Sequence, residues 1–138
     1  MRPRNEAARA QLTTALARRA GASAAELATR LNVSVPTLHR LLREQGSAVI
    51  ATGAARRSRY ALRRALRGDA APHPVYAVDA HGRAEQMGDL ALIQPQGSWM
   101  RLDGTPWPVP EESRDGLWGG LPYPLADMRP QGYLGRQL

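Results

Sequence analysis

Leucine and alanine recur at helical spacing through the first third of the chain. Ala8, Leu12, Ala15 and Leu16 make one apolar stripe inside the Ala-, Leu-, Arg- and Gln-rich segment Arg4 to Ala20, which predicts an amphipathic helix closed by Gly21. Ser23-Ala24-Ala25-Glu26 has the spacing of a capping box and opens a second helix that buries Leu27, Ala28 and Leu31. Asn32-Val33-Ser34 is a turn, with Asn32 suited to left-handed backbone. Ser34 caps a third helix, with Pro36 in its first turn and Leu38, Leu41 and Leu42 inward; it ends near Gly46.

The pattern then shortens to strands. Ala48 to Thr52 and Arg59 to Leu62 predict a hairpin around the loop Gly53 to Ser58. Asp69-Ala70-Ala71-Pro72-His73-Pro74 reads as a linker. Val75 to Val78 predicts a strand and Asp79-Ala80-His81-Gly82 a turn. Apolar/polar alternation fails through Arg83 to Gln86, and Gly88 to Ile93 and Trp99 to Leu102 predict further short strands. The expected fold class is α+β. A winged helix-turn-helix occupies residues 1–68, a linker 69–74, and a small β-rich module 75–138.

Charge divides at the same boundary. Residues 1–68 hold 14 Arg against 3 Glu, residues 69–138 hold 5 Arg against 9 Asp and Glu, and the whole chain of 138 residues carries +7. All the basic residues are Arg, which an Arg-rich genome explains; their crowding into one half it does not. A half-chain this basic is the electrostatic footprint of a polyanion. The chain has no Cys, so disulfides and Cys-based metal sites are excluded, and a reducing cytoplasm fits. No apolar run approaches the roughly 18 residues of a membrane helix, and Met1-Arg2-Pro3-Arg4 is not followed by the apolar stretch of a signal peptide. His39, His73 and His81 lack ligand spacing, so no metal is expected, nor any cofactor. There is no Ser-centred nucleophile elbow. Gly116, Gly119 and Gly120 match a phosphate-binding loop only loosely. Trp99, Trp107 and Trp118 are core anchors or, less simply, a ligand cage. Asp103, Asp115 and Asp127 have no spacing that pairs them for acid–base work.

The candidate site for double-stranded DNA is therefore the third helix and the hairpin. On the helix its residues are Ser34, Pro36, Thr37, His39, Arg40 and Arg43. Thr37 and Arg40 suit base edges, since Arg grips guanine bidentately. Ser34 and the free N–H groups at the helix start suit a phosphate. His39 is a backbone contact or a plain surface residue. Arg43 either touches DNA or forms a solvated pair with Glu44 or another exposed acid. Arg56, Arg57 and Arg59 on the hairpin suit phosphate or the minor groove.

The run Gly120-Leu121-Pro122-Tyr123-Pro124-Leu125-Ala126-Asp127-Met128-Arg129-Pro130-Gln131-Gly132-Tyr133-Leu134-Gly135-Arg136 resembles part of the HipA-type serine/threonine kinases, most of all the YjjJ-like branch. The order of helix-turn-helix, Ser58-Arg59-Tyr60-Ala61-Leu62 and a Val75-Tyr76 strand resembles that branch too. The resemblance implies an N-terminal winged helix followed by the small N-terminal subdomain of a kinase. Phosphoryl transfer needs a lysine on the phosphates, a catalytic Asp and magnesium ligands. This chain has no Lys and ends at Leu138, so no catalytic residue carries over and the expectation is of no enzymatic activity. The leading expectation is a cytoplasmic, DNA-binding transcriptional regulator. The alternative is a truncated or split small subunit of a HipA-like toxin–antitoxin kinase, with a kinase-body protein or a second copy as partner.

Overall fold

The computed structural model describes residues 3–126; of the resembling C-terminal run, Asp127 to Arg136 lies outside the described residues. Four helices and two antiparallel sheets are present among them, an α+β architecture as expected.

Helix α1 spans Pro3–Arg18, α2 Ala24–Leu31 and α3 Val35–Glu44. Each contributes the inward residues its spacing dictates. Leu12, Ala15, Leu16, Leu27, Ala28, Leu31, Leu38, Leu41 and Leu42 close into one core. The α2 start is held from both sides: Glu26 N–H donates to the Ser23 hydroxyl at 3.2 Å, and Ser23 N–H donates to the Glu26 carboxylate at 2.8 Å. Asn32 ends α2 in the left-handed region (φ 53°, ψ 49°), and its own N–H returns to the α2 carbonyls. Only a residue tolerant of that backbone turns the chain here without strain. Replacing Asn32 with Val is expected to lower stability by about 1–2 kcal/mol, and replacing it with Gly to leave it nearly unchanged, as read from urea midpoints.

The first sheet has the order β1-β3-β2, with β1 at Ala22–Ser23, β2 at Val49–Thr52 and β3 at Arg59–Leu62. Strand β1 was not expected. It is only two residues long and doubles as the cap segment of α2, so it has no alternation to read. β2 and β3 pair from Val49↔Leu62 to Thr52↔Arg59, which fixes the predicted hairpin.

The second sheet has the order β4-β5-β6-β7: His73–Val78, Ala84–Leu92, Ser98–Trp99 and Leu117–Trp118. β4 begins two residues before the expected strand, and β5 is continuous through Arg83's successors where alternation failed. Ala84, Glu85 and Gln86 are exposed on both faces of the strand, so the stretch has no apolar side to alternate, and a register shift follows it. Val75 opposes Gly88 but Tyr76 opposes Gln86, so Met87 is an extra residue in β5 and the side-chain period slips by one there. β6 is shorter than expected. Met100 and Leu102 are buried beyond it, and Met100 N–H reaches the Gly116 carbonyl at 2.8 Å. The single-turn helix α4 follows at Tyr123–Ala126.

The two sheets are joined. Arg64 N–H donates to the Leu92 carbonyl and Gln94 N–H to the Leu62 carbonyl, both at 2.8 Å. Ile50 and Ala61 of the first sheet share a buried cluster with Ala91, Ile93 and Leu117 of the second region.

Candidate nucleic-acid interface

Helix α3 presents two faces for a simple reason. Leu38, Leu41 and Leu42 turn into the core, so Pro36, Arg40 and Arg43, three and four residues apart, stack on the opposite, solvent-facing side. Val35 and His39 sit at the edge of that side. With Arg43 they line a groove whose other wall is Val49, Ala51 and Tyr60 of the hairpin. The structure thus brings the outward face of α3 and the hairpin side by side.

Ser34 and Thr37 are engaged with each other. The Ser34 hydroxyl accepts from Thr37 N–H at 3.3 Å and donates to the Thr37 hydroxyl at 2.9 Å, and Thr37 is half-buried. Arg40 and Arg43 are exposed and form no ion pair among the described residues. Glu44, the acid weighed for Arg43, instead holds Arg9 of α1 at 2.7 Å.

The hairpin loop is a tight one. Gly53 has φ +84°, and a Cβ there would lie 2.5 Å from the Arg57 carbonyl oxygen; the turn closes with Arg57 N–H on the Ala54 carbonyl at 3.0 Å. Arg56 and Arg57 stand exposed on this turn. Arg59 does not join them. Its guanidinium Nε and Nη2 both lie 2.6 Å from Asp115 Oδ2, so it faces the second half of the chain. The sequence offered no spacing that singled out Asp115, because its partners on the hairpin, Thr52 and Arg59, are more than fifty positions away.

The remaining features are explained by packing. Trp118 Nε1 donates to the Met100 carbonyl at 2.9 Å, and its ring meets Tyr123 edge-on at 6.1 Å. Trp99 Nε1 donates to the Asp115 carbonyl at 3.2 Å. These rings anchor the second sheet. Gly116 has φ +93°, and a Cβ there would lie 2.8 Å from Trp99 Nε1, so the glycine answers a close approach. His39, His73 and His81 lie on α3, on β4 and in the turn after β4. No helix among the described residues is long and apolar enough to cross a membrane.

Two carboxylates in the helical half are shifted. Glu26 is held below the usual carboxylate range by the Ser23 backbone N–H, then by the Ser23 side chain and Arg19. Glu44 is held down chiefly by its hydrogen bond from Arg9. A depressed folded-state pKa contributes stability above the unfolded value, about 4.3 for Glu, and loses it as pH falls through the folded value. The urea midpoint of the chain is therefore expected to fall between about pH 4.3 and lower pH, and less steeply in the Glu26→Gln, Glu44→Gln double variant. Identical pH slopes would refute this.

Residues 69–138 match the family described as YjjJ-like toxin, middle domain. The chain belongs to the YjjJ-like toxin family. It is also 43% identical over 115 residues to the toxin YjjJ of Escherichia coli (strain K12), covering 83% of this chain. A match of that length extends well into the N-terminal half. No solved structure matches the chain. The chain spans 24% of the length of its curated relative.

This corrects the expectation of a protein without enzymatic activity. That expectation rested on the lack of lysine and of a kinase body within these 138 residues. The relative is a toxin matched over about a quarter of its length, so residues missing from this stretch say nothing about catalysis. The family also favours the toxin-related alternative over the free-standing regulator.

Proposed function

We propose that this chain is the DNA-reading front and middle part of a YjjJ-type toxin. Residues 3–62 form a winged helix-turn-helix, with α3 in the major groove and the β2–β3 hairpin as the wing. One observation carries the reading. Arg40 and Arg43 on the open face of α3, and Arg56 and Arg57 on the adjoining hairpin, are four exposed cations that form no salt bridge among the described residues; Glu44, whose charge Arg40 feels, is itself bound to Arg9. On this reading Arg40 and the half-buried Thr37 of the first turn serve base edges, and Ser34, Pro36, His39 and Arg43 flank the backbone. Arg56 and Arg57 supply sequence-independent attraction to phosphate.

Further support comes from the resemblance of the chain to HipA-type kinases. On that reading the toxin acts by phosphoryl transfer, and the middle region precedes the catalytic body. No described residue is assigned a catalytic role.

The test is binding of mixed-sequence duplex DNA across a salt series. About six phosphate contacts give a slope of log K against log salt near −5. The Arg56→Ala, Arg57→Ala variant is expected to bind every sequence more weakly, with a slope shallower by about 2. An unchanged slope would remove the hairpin from the interface.

A further inference from the structure

The hairpin tip is gripped at its base by a residue from the other half of the chain. Thr52 and Arg59 are register partners and the last paired residues before the loop. Both contact Asp115. The Thr52 hydroxyl donates to the Asp115 backbone carbonyl. Arg59 places Nε and Nη2 at 2.6 Å from the Asp115 carboxylate. Asp115 is fixed in turn. Its carbonyl also accepts from Trp99 Nε1 at 3.2 Å, and its other carboxylate oxygen accepts from Leu117 N–H at 3.3 Å. Its side chain is largely buried, with 19% exposed, and Thr52 is buried.

We infer that Asp115 is a positioning residue for the DNA-binding hairpin. It aims Arg56 and Arg57 by holding both strands at the point where the tip leaves the sheet. The tip is itself compact, so its direction follows from Thr52 and Arg59. The middle region is then part of the DNA-reading apparatus, and binding of DNA is mechanically linked to whatever the middle region contacts. This rests on the DNA-binding reading above.

The sign of one substitution separates positioning from charge. Asp115→Asn keeps the backbone carbonyl that serves Thr52 and Trp99. It removes a negative charge and frees the Arg59 guanidinium. Charge alone would tighten binding to a polyanion and steepen the salt dependence by about one contact. Positioning gives the reverse: affinity for mixed-sequence duplex DNA lower by about fivefold to tenfold, and a slope shallower by about one to two. In an Arg56→Ala, Arg57→Ala background the same substitution should cause no further loss of affinity, because the cations it aims are gone and only its charge effect is left. Tighter binding or unchanged binding by Asp115→Asn overturns the inference, as does a full additional loss in that background. If Asp115→Asn fails to fold, Thr52→Val decides on the same criteria, since it removes one grip and no charge. A parent chain that does not bind DNA at all, while folded, instead defeats the DNA-binding reading itself.

Discussion

Leu38→Ala is expected to cost about 3 kcal/mol of unfolding free energy, within the range of roughly 2–5 for a fully buried leucine. Leu38 is completely inaccessible and lies where α1, α2 and α3 meet. Its removal leaves a cavity that three helices cannot close together, since α2 and α3 are tied by the fixed Asn32 turn. A domain of this size has only about 5–15 kcal/mol to lose. Urea unfolding followed by helical circular dichroism is the measurement. A loss below about 1 kcal/mol would mean that the helices repack and that the crossing of α2 and α3 is softer than described.

Arg40→Ala carries the largest expected effect on recognition. Arg40 stands at the middle of the open face of α3, opposite the buried Leu38 and Leu42. A bidentate grip on guanine is worth about 1–3 kcal/mol, so affinity for a preferred duplex, selected from a random pool, should fall by about tenfold to a hundredfold. Affinity for mixed sequence should fall far less. This pattern is opposite to that expected of Arg56 and Arg57, whose loss weakens all duplexes alike. Equal losses on both kinds of duplex would assign Arg40 to the phosphates and move base reading elsewhere.

The helical half was legible because its signals are local. The Ser23–Glu26 box, the left-handed Asn32 and the leucine spacing of α3 each act within a few residues, and the structure places all three as the pattern required. The second half was less so. Strands β1, β6 and β7 are two residues each, too short to show a period of two, and the extra Met87 breaks the alternation of β5 in its middle. Long-range pairings were invisible for a different reason. Arg9 finds Glu44, 35 residues away, and Arg59 finds Asp115, 56 away. Nothing near either arginine announces its partner. Reading the three hairpin arginines, which fall within four positions, as one cluster therefore grouped a residue that the fold turns toward the middle region with two that it leaves in solvent.

The role of these exposed cations is tested most directly by backbone amide shift mapping of the chain with mixed-sequence duplex DNA at low salt. The account predicts perturbations concentrated in α3 from Val35 to Arg43 and in the loop from Gly53 to Ser58, with smaller shifts at Thr52, Arg59 and Asp115. Perturbations confined to other surfaces, or none with the chain folded, would contradict it.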